Sequence, residues 1–344
     1  MTIEIIGTGR ALPPRRVSNG ELAERIDTSD AWIRSHTGIA ARRIAGEETA
    51  ASDLGIAAAR EALNLALERN RMAEQTPEDL ARTLDLIVLG STTQDYYGCP
   101  ATSCLIQREL GAKKAAALDI TMACSSFIYG LETAAALLKA DPRRRRALVI
   151  GAEVLTRIVN WEDRGSCVLF GDGAGAVLLE KTGPENRAGP DGEPGILRTI
   201  LGADGSGWEH LIIRRGGSRH PLKKGEDAVP EVSMNGRAVY TFAVAAITGV
   251  IRRMMEEERI LPEDLALIVP HQANARIVQA AAKRLGMPEE KFYLNIEEYA
   301  NTSSASIPIA LDELNRSGRL KRGNLIITVG FGAGLTYGGN LIRW

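Results

Sequence analysis

AALDITMACSSFIYGLETAAALLKA, residues 116–140, is the stretch whose reading decides the fold. An apolar run leads to Cys124. A small-residue helix then starts, carrying Phe127, Leu131, Ala134, Ala135 and Leu138 at helical spacing. A cysteine at a strand-to-helix junction meets the unpaired N–H groups and positive end of the helix. That position draws a free thiol, pKa about 8.5, toward the thiolate. The same N–H groups suit the oxyanion of a thioester under attack. The plainer reading is a small buried core cysteine.

Outward from this stretch the chain repeats itself. Pro77-Glu78-Asp79-Leu80 precedes the apolar strand Leu84–Leu89, and Pro262-Glu263-Asp264-Leu265 precedes Leu267–Val269. Helices are expected before these strands, at Thr49–Arg69 and Val239–Glu258, and after them, at Thr102–Leu110 and Asn274–Leu285. Strands follow at Ala115–Ile120 and Phe292–Ile296, then helices at Cys124–Ala140 and Ser303–Ser317. Each half closes on two strands: Ala147–Gly151 with Gly175–Glu180, and Leu325–Gly330 with Leu335–Arg343. Alternating strands and helices predict mostly parallel sheets covered by helices. Duplication predicts an α/β fold with a five-layered α-β-α-β-α core, built from halves at residues 1–181 and 182–344. It also places Asn301 where Cys124 stands in the first half, so that two helix N-termini face each other.

Composition narrows the function. The chain has 344 residues, a net charge of −1, 44% hydrophobic and 5% aromatic residues. No global field or stacking surface recruits nucleic acid or a membrane. No run of about 18 apolar residues is read, so no membrane span is expected. The N-terminus reads as a strand and turn, without a basic and apolar leader. Cys99, Cys104, Cys124 and Cys167 form no CxxC pair and lack zinc spacing. A cytoplasmic protein with reduced thiols and no bound metal is expected. Asp27–Ala45 reads as loop-like. Thr182–Gly195 and Arg214–Val232 read as polar surface excursions. The glycines of FGDGAGAVLLE (Phe170–Glu180) run on into strand, so a tight turn fits them better than a phosphate cradle.

Of four histidines, His210 and His220 lie in glycine- and charge-rich loops. His271 follows a buried strand at its carboxyl end, where open α/β sheets bind ligands. A structural histidine is the plainer alternative. Asn301 again lies past a strand and before a helix, where a capping role is the plainer one. The glycines of VGFGAGLTYGG (Val329–Gly339) let backbone approach a ligand closely. Cysteine, histidine and asparagine together suit a thioester chemistry. The thiolate takes an acyl group. The imidazole and carboxamide donate to a carbonyl becoming an enolate, and loss of CO2 supplies the carbanion.

At this point the chain resembles the thiolase-fold β-ketoacyl-acyl-carrier-protein synthase III enzymes. The resemblance covers nearly the whole length. It rests on DTSDAWIRSHTGI, DITMACSSFIYGL, GAEVL, WEDRGSCVLFGDGAGAVLLE, MNGRAVYTFAV, VPHQANARI, NTSSASIPIAL and GFGAGLTYGG, in that order. It implies an acyltransferase that condenses an acyl-CoA primer with malonyl-acyl-carrier protein by a decarboxylative Claisen reaction, starting fatty acid biosynthesis. Cys124 would carry the acyl group, His271 and Asn301 would hold the malonyl thioester, and the backbone N–H groups of Cys124 and Ala333 would form the oxyanion hole. Neither metal nor organic cofactor is implied. Trp32 and Arg164 match CoA-nucleotide positions. Arg276, Lys283 and Arg284 match a basic patch for the acidic carrier protein. A homodimer is implied, sharing the Thr93–Pro100 loop.

Three departures stand out. His36 replaces an arginine that sandwiches the adenine with Trp32, losing a permanent cation. Ala333 replaces a glycine, which requires a negative φ there. Cys99 lies where a phenylalanine enters the partner's acyl pocket, with Tyr97 the other residue able to fill that space. The rival reading is a related condensing enzyme or acyltransferase of specialised, polyketide-type metabolism. A non-catalytic chain-length subunit is disfavoured because Cys124 is present.

Overall fold

The computed structural model describes residues 1–69, 76–183, 192–224 and 231–344. Its first seven strands are β1 (Thr2–Ala11), β2 (Arg15–Ser18), β3 (Ala41–Ile44), β4 (Leu86–Gly90), β5 (Ala116–Ile120), β6 (Arg146–Glu153) and β7 (Gly173–Thr182). After them come β8 (Gly195–Ala203), β9 (Leu211–Ile213), β10 (Val232–Met234), β11 (Leu265–Pro270), β12 (Leu325–Gly332) and β13 (Thr336–Arg343).

Two sheets carry the architecture. The first runs β1-β7-β6-β4-β5 and the second β11-β12-β13-β8. In the first, β4 lies parallel between β5 and β6, and β7 turns antiparallel. In the second, β11 pairs parallel with β12, which pairs antiparallel with β13. The expected strand Phe292–Ile296 does not form. It shrinks to a one-residue parallel bridge between Ile268 and Phe292, flanked by a 3₁₀ turn at Glu289–Lys291 and a helical turn at Ile296–Tyr299. The turn Glu289–Lys291 and the helix starting at Ile296 leave too little extended chain for a ladder.

Period-two burial makes the layers. Leu86 and Val88 of β4 face the central core, while Ile87 and Leu89 face the outer helix Ala51–Arg69. The central core also takes Phe127, Leu131 and Leu138 of helix Ser126–Ala140, with Ile307, Leu311 and Leu314 of helix Ser306–Arg316. Inward residues of the second sheet, such as Val269 and Ile326, complete it. The second sheet's other face packs on helices Gly236–Glu258 and Ala275–Leu285. The order is helices, sheet, helices, sheet, helices, the expected five layers.

Two further expectations change. Asp27–Ala45 is not loop-like: it holds a helix at Asp30–Thr37, capped by the Ser29 hydroxyl, and β3. Helix Gly236–Glu258 is long and apolar enough by composition to cross a membrane, against the sequence count. Its Val239, Ala243, Ile247, Val250, Ile251 and Met254 are instead buried in the outer core. Of the two polar excursions, residues 184–191 and 225–230 lie outside the described residues.

Candidate active site

Both halves enter their inner helices through the same local device. Residues Ala123–Ser125 form a 3₁₀ turn before helix Ser126–Ala140, and Ser303–Ala305 form one before helix Ser306–Arg316. Each turn opens on a non-glycine residue at positive φ, Ala123 at 45° and Ser303 at 47°. Such backbone costs roughly 1–3 kcal/mol and persists only where its surroundings enforce it. The matching turns correct the sequence register: Cys124 corresponds to Ser304, and Asn301 lies three residues before that position. The sequence pairing failed because both residues lie between a strand and a helix, and only the backbone angles fix the count.

Cys124 is 8% exposed. The turn separates it from the α-helix proper, and the expected pull toward thiolate is not what its surroundings produce. Burial pushes the thiol up to about 12, opposed by a Ser303 hydrogen bond and reinforced by the nearby Glu153 charge. Gly332 packs against this turn: a Cβ there would stand 2.7 Å from Met122 O and 2.8 Å from Cys124 N. The turn at Ala333 and Gly334 thereby borders the sulfur, and both residues line the same cavity as Cys124. Ala333 is not among the positive-φ residues, which meets the condition its side chain imposes.

His271 is the first residue past β11, its N–H bonded to Val329 O at 2.8 Å. Nδ1 lies 2.7 Å from Ser306 Oγ, and Phe331 meets the ring edge-on at 5.5 Å. Ser306 Oγ also accepts from Gln272 N–H at 3.4 Å, so its own hydrogen is free to go to Nδ1. With that hydrogen directed at Nδ1, the ring proton sits on Nε2, which is buried without a partner. Burial lowers the His271 pKa to about 3, so the ring is neutral.

Asn301 is pinned by backbone on both sides, to Leu169 O at 2.9 Å and from Gly171 N at 3.0 Å. The glycine-rich motif at 170–180 therefore serves as a junction that clamps Asn301 and then enters β7. Asn301 Oδ1 accepts from Ser303 N at 2.8 Å, which leaves the amide nitrogen as the donating end.

A cavity of about 530 Å³ joins these groups. Cys124, His271, Asn301 and Ala333 line its inner end, and Trp32 and His36 also line it. Its walls are largely apolar, including Leu155, Ile158, Val159, Phe170 and the β9–β10 ribbon. Trp32 and His36, one turn apart, stack at 4.3 Å with rings inclined by 21°, and the Arg164 guanidinium lies 4.8 Å from the Trp32 ring centre. Arg276, Lys283 and Arg284 are exposed on helix Ala275–Leu285, opposite buried Ile277, Val278, Ala281 and Ala282. Tyr97, 67% exposed, and Cys99, also exposed, lie outside the residues that line the cavity. Within one chain neither fills an acyl pocket. Their loop is on the surface, with Tyr97 against Gly216.

Sequence reasoning passed over Glu153, Ser303, Ser304 and Ser306. Glu153 was visible only as a carboxylate closing an otherwise apolar strand, a pattern that invites a buried-acid search.

Comparisons with known proteins agree along the whole chain. Residues 118–205 match a family model described as 3-oxoacyl-[acyl-carrier-protein] synthase III, and residues 255–344 match its C-terminal part. A β-ketoacyl-[acyl-carrier-protein] synthase III from Clostridium acetobutylicum is 42% identical, over 100% of this chain and 99% of its own. One from Caldanaerobacter subterraneus subsp. tengcongensis is 43% identical, over 99% and 97%. The crystal structure of 3-oxoacyl-[acyl-carrier-protein] synthase III from Aquifex aeolicus VF5 superposes with a TM-score of 0.85 at 42% identity, over 99% of this chain and 100% of that one.

Proposed function

The chain belongs to the 3-oxoacyl-[acyl-carrier-protein] synthase III family, acyltransferase-type condensing enzymes that start fatty acid synthesis, and from that premise we propose how its residues share the work. One observation supports the assignment above the others. Cys124, His271 and Asn301 line one apolar cavity, and Nε2 of His271 is left unpartnered there.

Cys124 attacks an acyl-CoA thioester, keeps the acyl group and releases CoA. Malonyl-acyl-carrier protein follows. His271 Nε2–H and the Asn301 amide donate to its thioester oxygen as CO2 departs, and the resulting carbanion attacks the acyl-Cys124 carbonyl. The N–H groups of Cys124 and Ala333 receive that oxyanion, and losing one such donor typically costs about 3 kcal/mol. A neutral His271 fits this role, since a donor and not an acid is needed. The departing CO2 leaves the electron pair behind, so the scheme calls for neither a metal nor an organic cofactor.

Trp32, His36 and Arg164 are assigned to the CoA nucleotide. The imidazole already stacked on the indole makes an outer face for adenine, not an open slot between the two rings. Arg276, Lys283 and Arg284 are assigned to the acidic carrier protein. A homodimer is favoured by β5, an edge strand, and by the exposed Tyr96 and Tyr97. In such a dimer Tyr97 or Cys99 would reach the neighbouring pocket. Four free thiols fit a cytoplasmic setting.

The test is intact mass after incubation with a panel of acyl-CoAs, beside Cys124→Ser. An acyl adduct on the wild type only, discharged by malonyl-acyl-carrier protein as β-ketoacyl product, is expected. An adduct indifferent to malonyl-acyl-carrier protein would overturn the condensing assignment.

A further inference from the structure

Glu153 is a buried acid that the scheme above leaves idle. It closes β6 at 0% exposure. Its carboxylate accepts from Thr92 N–H at 3.0 Å and from the Thr93 hydroxyl at 2.7 Å, with the Thr92 hydroxyl at 3.2 Å and Ser91 Oγ at 3.5 Å. Ser304 Oγ, from the other half of the molecule, lies 2.8 Å from Oε1. Among the described residues these partners are hydroxyls and an amide, and none is a cation. A permanent charge in such a place is expensive.

Ser304 shows how the cost is avoided. Its hydroxyl faces two acceptors, Oε1 of Glu153 at 2.8 Å and Gly90 O at 2.9 Å. One hydroxyl carries one hydrogen. With a proton on Oε1, the carboxyl donates to Ser304 and Ser304 donates to Gly90, so both contacts become full hydrogen bonds. With the carboxylate ionised, the Ser304 hydrogen turns to it and the threonines hold the charge. Both states fit without moving a heavy atom. Burial raises the Glu153 pKa, in keeping with a group that takes up a proton readily.

The neighbouring Ser303 completes the path. Held at φ 47°, it lines the cavity with Cys124, stands directly before the Ser304 that bonds Glu153, and turns its hydroxyl toward both the thiol and the carboxyl. Besides Cys124, the loop of Thr92 and Thr93 carries Asp95, whose carboxylate is taken up by Ser52 N–H at 3.0 Å and the Ser52 hydroxyl at 2.6 Å.

We propose that Glu153 stores the proton of Cys124 between the two half-reactions, receiving and returning it through the Ser303 hydroxyl. The assignment rests on Cys124 being the acylated residue. As the sulfur bonds to the acyl carbon, its proton passes to Ser303 Oγ and the Ser303 proton passes to Glu153. CoA departs as thiolate and takes its proton from solvent. After condensation the C–S bond breaks, its electron pair returns to sulfur, and the stored proton moves back. The cycle consumes one solvent proton, as loss of CO2 from a carboxylate requires. Glu153 acts through another residue and is a positioning residue for proton transfer.

The test is the pH profile of Cys124 acylation, followed by quenched intact mass, for wild type, Ser303→Ala, Glu153→Gln and Glu153→Asp. The wild type is expected to acylate at a level rate across neutral pH. Ser303→Ala and Glu153→Gln are expected to be at least about tenfold slower near pH 7 and to accelerate about tenfold per pH unit as the thiol ionises unaided. Glu153→Asp should restore the level profile at a lower rate. Should Glu153→Gln fail to fold, Ser303→Ala decides alone, because it keeps the carboxylate and its threonine donors. A Ser303→Ala profile parallel to wild type at every pH overturns the proton store and leaves the acyl-Cys124 assignment standing. A wild type that no acyl-CoA acylates overturns both.

Discussion

The two halves build one backbone and give it opposite side chains. Two residues past Val88 and Val269, which both face the central core, stand Gly90 and His271. Each backs onto the serine that opens its inner helix. A Cβ on Gly90 would lie 2.6 Å from the Ser126 Cβ, and His271 Nδ1 bonds Ser306 at 2.7 Å. Two residues past Gly151 and Gly330 stand Glu153 and Gly332. Glu153 reaches the second half's turn with a carboxylate, and Gly332 leaves room for the first half's turn to lie against it. The turns themselves carry Cys124 and Ser304. At these two pairs of strand ends, where one half has a polar side chain the other has a glycine, so a symmetric scaffold holds an attacking side and a donating side without the two colliding.

The largest expected effect breaks the division of labour. His271→Ala or Asn301→Ala should lower condensation by about 10²–10³-fold. Acylation of Cys124, followed by intact mass, should change by less than about threefold. Equal losses in both half-reactions would show that the donors also serve the first step.

A smaller effect probes the scaffold. A Cβ at Gly151 would stand 2.2 Å from Ser304 O, and one at Gly332 2.7 Å from Met122 O. Gly151→Ala and Gly332→Ala should each cost about 1–3 kcal/mol in denaturant unfolding, the usual price of overpacking. A neutral result at either site would mean that its half gives way where the other does not.

A third effect concerns pH. His271 in the fold is held down to about 3 from its ordinary 6.5. The unfolded chain therefore binds a proton that the native state refuses. The stability is present in full above about pH 6.5 and is lost as pH falls toward 3. His271→Gln should flatten that part of the stability curve, and a slope unchanged by the substitution would place the acid sensitivity elsewhere.

Much of this was legible in residues alone. Apolar runs and repeated spacing marked the sheets and inner helices, because period-two and period-3.6 burial must appear in sequence. Cys124, His271 and Asn301 stood out as reactive types at strand ends. The Phe292 strand did not, because an apolar residue beside short helical turns reads the same whether it pairs over one residue or five. The Ser304 equivalence and the Glu153 network escaped because hydroxyls and a single acid carry no periodicity. Their meaning comes from contacts between residues far apart in the chain. The Trp32–His36 stack was also hidden, since residues 27–45 read as loop in sequence while residues 30–37 form a helix.

Ala123 and Ser303 carry a last consequence, for how such a site is found and improved. A left-handed backbone costs an ordinary residue roughly 1–2 kcal/mol. Glycine would relieve that strain but loosen the unfolded chain by about 0.4–1 kcal/mol. The first term exceeds the second, so a screen that ranks variants by heat resistance would favour glycine at both positions. Yet Ala123 aims the turn that carries the sulfur, and Ser303 aims the one that faces it. Improvement by stability alone would leave such hinges to drift, and only selection on turnover would keep them in place.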